Sequence, residues 1–144
     1  MEEARIEDRG QGEANFQLTD KRALGDLRRE IRDDFDRVDA DPSLVFECLV
    51  SVTEACTNAL KYGQSDAEGE HEPDVTWIIG PESASFTVRD FSSRRWPDRR
   101  GPIDLTGPAT GGYGIELMRK LMDEVSIETN PEGTTVKLVK RLTP

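Results

Sequence analysis

The chain has 144 residues, with 29 acidic residues against 19 Lys and Arg, so its formal net charge at pH 7 is -10. This length is typical of one domain with its own core, and the negative charge argues against a general binder of nucleic acid or anionic membranes. We therefore predict a single domain over residues 14–144 after a flexible lead-in at residues 1–13. No amino-terminal apolar run resembles an export signal, and no segment approaches the roughly 20 apolar residues of a membrane span.

The first half of the chain predicts a strand and two helices. A short strand is expected at Ala14–Leu18, and apolar residues three and four apart then predict an amphipathic helix. The apolar stripe of that helix consists of Leu24, Leu27, Ile31, Phe35 and Val38. The Asp41-Pro42-Ser43 turn separates it from a second predicted helix at Ser43–Tyr62, which Gly63 ends. On a helical wheel, the polar arc of the second helix contains Glu47, Ser51, Glu54, Asn58 and Lys61.

The second half of the chain predicts two hairpins around a long loop and a third helix. In chain order, the expected elements are strands at Val75–Ile79 and Ser85–Arg89, a loop at Asp90–Thr110, a helix at Gly114–Met122, and strands near Val125–Thr129 and Thr134–Leu142. A loop of this length inside a compact domain is usually functional or disordered.

Two cysteines lie on the second predicted helix. Cys48 and Cys56 are eight residues apart, which is about 12 Å along a helix axis and too far for a disulfide. We expect both to be buried in the core as free thiols in a reducing, cytoplasmic compartment. The chain has a single histidine, His71, so a zinc site is not expected.

Glu54 and Asn58 form the first candidate site. They are four residues apart and share one face of the second predicted helix. An amide oxygen is a good ligand for a hard cation, and a carboxylate one turn away can accept a proton from a nucleophile. The pair therefore suits a magnesium–triphosphate site. The alternative interpretation is a solvated polar face, which any amphipathic helix has.

Two further features follow later in the chain. Asp90 ends an apolar strand, where a carboxylate can accept a hydrogen bond from an adenine amino group or can simply be a turn residue. Gly111, Gly112 and Gly114 precede or open the third predicted helix, and such glycines allow close approach of backbone to phosphate at a helix start. A plain helix-start turn is the alternative. The P-loop pattern is absent from the sequence.

In order and spacing, these features resemble the ATP-binding domains of gyrase, Hsp90, histidine kinases and MutL. Glu54–Ala59 resembles the N box of this superfamily, Asp90 the start of its G1 box, Gly111–Gly114 its G2 box, and Gly133-Thr134 its closing Gly-Thr. Within the superfamily the chain is most similar to the small bacterial anti-sigma factor serine/threonine kinases, and the likeness extends from about Ala14 to Leu142.

The resemblance implies a fold and a binding mode. The fold would be of the Bergerat ATP-binding type, an α/β (α+β) two-layer sandwich with helices on one face of a mixed, mainly antiparallel sheet. The nucleotide would lie between the helices and a lid formed by Phe91–Thr110.

The resemblance also implies roles for individual residues. Asn58 would coordinate Mg²⁺ on the phosphates of ATP, and Glu54 would be the general base that accepts the proton of a serine or threonine hydroxyl. Asp90 would bind the adenine amino group, and Thr134 would support it through its hydroxyl and a water. The phosphate-binding end of the lid would be shaped by Gly111, Gly112 and Gly114.

The implied function is partner switching in the regulation of transcription. The protein would bind ATP and Mg²⁺, phosphorylate a small anti-sigma-factor antagonist protein, and sequester a sigma factor. It would act in the bacterial cytoplasm as a homodimer, without direct contact to nucleic acid or membrane. Arg28, Arg29 and Arg32, on the polar side of the first predicted helix, would either face solvent or contact a partner.

One motif departs from the superfamily pattern. The G1 box normally reads Asp-x-Gly-x-Gly, whereas this chain has Asp90-Phe91-Ser92-Ser93-Arg94. Side chains at both glycine positions motivate an alternative function, a non-catalytic interaction module that senses nucleotide or works without it. A metabolic ATPase is less compatible with the chain, because no second substrate domain is apparent.

Overall fold

The computed structural model describes residues 13–63, 72–92, 96 and 113–144. In chain order, the elements are β1 (Ala14–Gln17), α1 (Ala23–Arg37), α2 (Pro42–Tyr62), β2 (Asp74–Ile79), β3 (Ser83–Arg89), α3 (Gly114–Leu121), β4 (Glu124–Asn130) and β5 (Gly133–Arg141). These bounds match the elements predicted from sequence to within about two residues at most ends, as is usual for element boundaries.

The strands form one five-stranded sheet in the order β1-β2-β3-β5-β4. The four strand pairings in the described part of the chain are antiparallel. Residues at alternate positions of β2, β3 and β5 are buried, and they form one core cluster with the apolar sides of the helices. At the centre of the sheet, Phe86 pairs with Trp77 on one side and Leu138 on the other. The predicted fold class, an α/β sandwich with helices on one face of a mixed, mainly antiparallel sheet, is confirmed, and the strand pairings in the described part of the chain are all antiparallel rather than mixed.

Helix α1 lies over the sheet through the predicted apolar stripe. Leu24, Leu27, Ile31 and Phe35 are buried. At the start of the helix, the Asp20 carboxylate accepts hydrogen bonds from the backbone N–H groups of Arg22 and Ala23, at 2.8 and 3.2 Å. These bonds give partners to the backbone donors of the residue before the helix and of its first residue.

A buried polar contact that the sequence pattern did not predict joins α1 to β2. The Trp77 indole Nε1 donates to Asp34 Oδ2 at 2.7 Å, and both residues are almost fully buried. The bond gives the tryptophan N–H and the carboxylate a partner inside the core, where unpaired polar groups are costly.

Helix α2 begins one residue earlier than predicted, with Asp41 as its N-cap and Pro42 in its first turn. Asp41 Oδ1 accepts from the backbone N–H of Ser43 at 2.8 Å, and this bond lowers the pKa of the Asp41 carboxyl. Ser43 is therefore a residue of the first turn, and the cap is the preceding aspartate.

The polar arc predicted for α2 is wrong at one residue. The helical wheel puts Ser51 on the polar side, but the structure buries it completely. A single long helix that packs against both the sheet and α3 has contacts on more than one side, so a polar arc from the helical wheel does not always face water. Among the described residues, the Ser51 hydroxyl has no hydrogen-bond partner.

Both cysteines of the chain are free and buried on α2, as predicted. Burial raises the pKa of the Cys48 and Cys56 thiols to about 12. Since the thiolate is the form that reacts and binds metals, neither cysteine is suited to redox or metal chemistry.

By length and composition alone, α2 is apolar enough to cross a membrane, contrary to the expectation from sequence that no segment approaches this limit. This is weak evidence for a span, because the core helix of a globular domain meets the same criterion. In the fold, α2 instead contributes seven buried residues to the interior.

Candidate functional site

Asp90, the predicted adenine-binding residue, directly follows β3 and is fully buried. Its carboxylate Oδ1 accepts hydrogen bonds from the backbone N–H groups of Thr134, at 2.9 Å, and Ser92, at 3.1 Å. The Asp90 N–H in turn donates to the Thr134 carbonyl at 2.9 Å. These bonds fix one carboxylate oxygen of Asp90 against the start of β5 and leave the other, Oδ2, to accept a further donor.

The donor on Oδ2 is a tryptophan that the sequence pattern did not assign to the site. Trp96 Nε1 lies 2.7 Å from Asp90 Oδ2, and Trp96 is only 5% exposed. The two residues are six positions apart in a stretch of sequence without hydrophobic periodicity. The signal that could have suggested the contact is a tryptophan in a stretch of sequence rich in arginine and aspartate.

Two glycines leave the space that Asp90 occupies. A Cβ on Gly63 would overlap the Asp90 side chain at Cβ and Oδ2, and a Cβ on Gly133 would overlap the Asp90 carbonyl. Gly133 also has φ +150°, which L side chains rarely adopt. Gly63 has φ -95°, so its helix-ending role does not need glycine. The predicted end of the helix at Gly63 is correct, but the space beside Asp90 is what requires glycine there.

The substituted G1 box keeps a backbone contact to Asp90. Ser92 stands where the superfamily pattern has its first glycine, and its N–H reaches Asp90 Oδ1. Ser92 is itself buried, with 7% of its surface exposed. A serine is therefore accommodated at this position. Ser93 and Arg94 lie outside the described residues.

Thr134 contacts Asp90 through its backbone. The hydroxyl lies 3.0 Å from the Thr129 hydroxyl across the β4–β5 hairpin. The predicted role of Thr134, support of Asp90 through its hydroxyl and a water, stays a prediction. The direct link in the structure is the bond from the Thr134 N–H to the carboxylate.

Glu54 and Asn58 meet the first residue of α3. A Cβ built on Gly114 would lie 3.0 Å from Glu54 Oε1 and 3.2 Å from Asn58 Nδ2. The structure therefore brings together three of the predicted site residues, and Gly114 leaves room for the two side chains. Gly111, Gly112, His71 and most of the predicted lid lie outside the described residues.

The two halves of the candidate site lie at different positions along α2. Glu54 and Asn58 are within the helix, whereas Asp90 packs against Gly63 at its carboxyl end. The step from Glu54 to Gly63 corresponds to about 14 Å at the rise of an α-helix. One helix thus spaces a buried carboxylate from a carboxylate–amide pair, which suits an elongated ligand.

Glu54 also lines a groove between α1 and α2 with a volume of about 310 Å³. The groove is lined by Arg28, Arg32, Phe46, Leu49, Val50, Thr53 and Glu54. Phe46 is 66% exposed, and the Arg28 guanidinium donates to the Thr53 hydroxyl at 3.5 Å. Glu54 thus borders both Gly114 and a surface that combines positive charge with apolar area.

No group of three or more His, Cys, Asp and Glu side chains in the described ranges could hold a metal ion. Any cation at Asn58 would therefore need most of its ligands from a bound molecule or from water. This is the usual situation for Mg²⁺ at phosphates.

Comparison with known proteins agrees with this arrangement. Residues 16–140 match the model of the histidine kinase-like ATPase domain. The chain belongs to this family. The resemblance found in the sequence is thereby confirmed, and the match includes both Glu54 and Asp90.

The histidine kinase-like domain is similar in sequence to bacterial regulators. It is 35% identical over 111 residues to the anti-sigma F factor of Anoxybacillus flavithermus, covering 72% of this chain and 75% of that protein. It is 34% identical over 110 residues to the anti-sigma F factor of Bacillus subtilis, covering 71% and 74%. It is 32% identical over 102 residues to the serine-protein kinase RsbW of Bacillus pumilus, covering 65% of this chain but only 62% of that protein.

A solved structure shares the fold. The RsbU and RsbW domains of Rv1364c from Mycobacterium tuberculosis superimpose with a TM-score of 0.66 at 19% identity, covering 92% of this chain and 33% of that chain. At this identity the likeness supports the architecture of the histidine kinase-like domain and nothing finer.

Proposed function

We propose that this histidine kinase-like domain is a serine/threonine protein kinase of the anti-sigma type. It binds ATP with Mg²⁺, phosphorylates a small anti-sigma-factor antagonist, and sequesters a sigma factor. The observation that carries the proposal is the arrangement along α2. The buried Asp90 carboxylate contacts Gly63, which lies about 7.5 Å along the helix from Asn58 and about 14 Å from Glu54. The relatives named anti-sigma F factor and serine-protein kinase RsbW support the same function.

The Asp90 carboxylate is suited to bind the adenine base. Oδ1 is held by two backbone N–H groups, and Oδ2 accepts an N–H from a flat aromatic ring, the Trp96 indole. An oxygen that accepts a ring-edge donor in a buried site can equally accept the exocyclic amino group of adenine. Asp90 therefore selects a base that donates at this edge.

Asn58 and Glu54 are suited to the phosphate end of the site. Asn58 presents an amide beside Gly114, at the start of α3, where helix N–H groups favour negative charge. Its amide oxygen would be the protein ligand for Mg²⁺. When bound, Mg²⁺ supplies positive charge that offsets the charge of the transferring phosphate.

Glu54 would act on the protein substrate. It lines the groove that holds Arg28, Arg32 and Phe46, and it also borders Gly114. A serine or threonine hydroxyl entering from the groove would form its bond to the γ-phosphorus as the bond from that phosphorus to the ADP oxygen breaks. Glu54 would take the hydroxyl proton.

The groove also suits contact with a protein. An exposed phenylalanine next to two arginines provides apolar area and positive charge in a chain with a net charge of -10. An antagonist with acidic side chains around its acceptor residue would complement it. We further propose that the protein works in the bacterial cytoplasm and as a homodimer.

The non-catalytic interaction module remains the contrasting function, although the names of the relatives do not favour it. It differs from the kinase in one observable property, the transfer of phosphate to a partner. The test of Glu54 therefore also separates the two functions.

Replacing Glu54 by alanine should lower the rate of phosphate transfer by about 10²–10⁴-fold, the usual contribution of a general base. The affinity for MgATP should stay close to that of the wild type, because the proposed role of Glu54 is toward the hydroxyl. The measurement is transfer of label from γ-labelled ATP to purified anti-sigma-factor antagonists of the same organism, with MgATP binding followed by calorimetry.

Glu82→Ala is the matched control, since it removes an exposed carboxylate in the β2–β3 turn. This variant should transfer phosphate at the wild-type rate. Unchanged transfer by Glu54→Ala would show that the base is a different residue. Wild-type protein that binds MgATP but transfers phosphate to none of the antagonists would favour the non-catalytic module.

A further inference from the structure

The fold contains two buried pairs of a tryptophan with an aspartate. Trp77 donates to Asp34 and Trp96 donates to Asp90, each from Nε1 to Oδ2 at 2.7 Å. The first pair joins α1 to β2 inside the core. The second pair includes Asp90, the carboxylate that the proposed function assigns to adenine. There the tryptophan makes a hydrogen bond at the residue that the base would use.

The Trp96 indole and an adenine base are alike in the features that Asp90 can recognise. Each is a flat, fused bicyclic ring that presents an N–H donor at its edge. Asp90 Oδ1 is already bonded to the backbone of Ser92 and Thr134, so Oδ2 is the oxygen that faces a ring. The indole therefore makes the hydrogen bond that the proposed function gives to the base.

The space at Oδ2 is narrow. On one side, Gly63 approaches so closely that even a Cβ would overlap the carboxylate. On another side, the Trp96 ring is packed into the core cluster with 5% of its surface exposed. A base could not reach Oδ2 with the indole in this position.

Building on the proposed function, we propose that Trp96 competes with the nucleotide for Asp90. In this structure the indole fills the adenine end of the site, and ATP binds by displacing it. Trp96 thus sets the affinity for nucleotide and keeps the buried Asp90 carboxylate paired when no nucleotide is present. Competition with the nucleotide also gives a role to Trp96, which follows the substituted G1 box in the sequence.

The expected size of the effect follows from the hydrogen bond. A bond to a charged group contributes enough net free energy that losing it shifts an equilibrium by roughly tenfold or more. The apparent affinity for nucleotide is the intrinsic affinity multiplied by the fraction of molecules in which the site is open. Removing the indole donor should therefore strengthen MgATP binding.

Trp96→Phe is the variant that tests this, because it removes the donor and keeps an aromatic ring in the core. In a calorimetric titration, its dissociation constant for MgATP should be about tenfold lower than that of the wild type, or lower still. Trp77→Phe is the matched control, since it removes the same kind of bond from Asp34. It should unfold more easily but bind MgATP as the wild type does.

Tryptophan fluorescence tests the displacement in the wild-type protein itself, independently of any variant's stability. The chain has two tryptophans, and both are buried. Addition of MgATP should move the emission maximum to longer wavelength as the Trp96 indole becomes exposed to water. In Trp96→Phe, which retains only Trp77, the maximum should stay in place.

The outcomes separate this inference from the proposed function. If the wild type binds MgATP and Trp96→Phe binds it equally or more weakly, competition by Trp96 is wrong and the nucleotide site stands. If MgATP saturates the wild type without a shift of emission, displacement is likewise wrong. If neither the wild type nor Trp96→Phe binds MgATP, the proposed function and the competition fail together.

Discussion

Gly133→Ala should lower the free energy of unfolding by about 3 kcal/mol or more and abolish nucleotide binding. The residue has φ +150°, and a Cβ there would overlap the backbone carbonyl of Asp90. Relief of the overlap would require movement of Asp90 or of the start of β5, where Thr134 holds the carboxylate. Urea denaturation gives the loss of stability, and calorimetry with MgATP gives the loss of binding.

Gly80→Ala is the matched control for this substitution. Gly80 lies in the β2–β3 turn, and the nearest atom to a Cβ there is the Ser83 carbonyl oxygen at 3.9 Å, an ordinary contact. The variant should differ little from the wild type in stability and in MgATP binding. A Gly133→Ala protein as stable as Gly80→Ala would contradict the described packing around Asp90.

Gly114→Ala should reduce phosphate transfer by about 10- to 100-fold while leaving the fold intact. The new methyl group would press on Glu54 and Asn58, at 3.0 and 3.2 Å, and shift the two side chains that the mechanism depends on. Misplacement of reacting groups by a fraction of an ångström to an ångström is costly in rate. The measurement is the transfer rate from γ-labelled ATP beside a thermal unfolding curve.

Gly25→Ala makes the same chemical change in another helix. A Cβ on Gly25 meets no atom within 4 Å, so alanine should raise the free energy of unfolding by about 0.5–1 kcal/mol through helix propensity. Phosphate transfer should be unchanged. Wild-type transfer by Gly114→Ala would show that the pair does not depend on the space that Gly114 leaves.

Local patterns in the sequence are enough to predict the helices and most strands. The stripe from Leu24 to Phe35 is a pattern of neighbouring residues, and it is buried as expected. The break between α1 and α2 is also local, although α2 begins at Pro42, one residue before the predicted start. The pairing of Glu54 with Asn58 is also predictable, because a four-residue spacing fixes a shared helix face. That Glu54 and Asn58 lie next to Gly114 is expected only from the order of the motifs along the chain. No pattern of neighbouring residues predicts it.

Contacts between distant segments are not predictable in the same way. Trp96 contacts Asp90 from a stretch of sequence without hydrophobic periodicity, and Trp77 contacts Asp34 across 43 positions of sequence. The end of a helix is a sufficient explanation for Gly63 in the sequence, although its φ of -95° does not require glycine. Each of these features depends on which surfaces pack together in the folded core. Local patterns in a single sequence do not predict such packing.

Calorimetric titration with MgATP of the wild type, of Trp96→Phe and of Trp96→Phe carrying Asp90→Asn tests the central claim most directly. The amide introduced by this substitution can still accept the N–H groups of Thr134 and Ser92 through its oxygen, but it places an NH₂ donor where the base must donate. The account predicts saturable binding by the wild type. When Asp90→Asn is introduced into the Trp96→Phe background, where no indole donor competes for this position, it should weaken binding at least tenfold, with all proteins folded. Equal affinity with and without Asp90→Asn in the Trp96→Phe background would contradict the assignment of Asp90 to the nucleotide, and no binding at millimolar ATP by either the wild type or Trp96→Phe would contradict the nucleotide site as a whole.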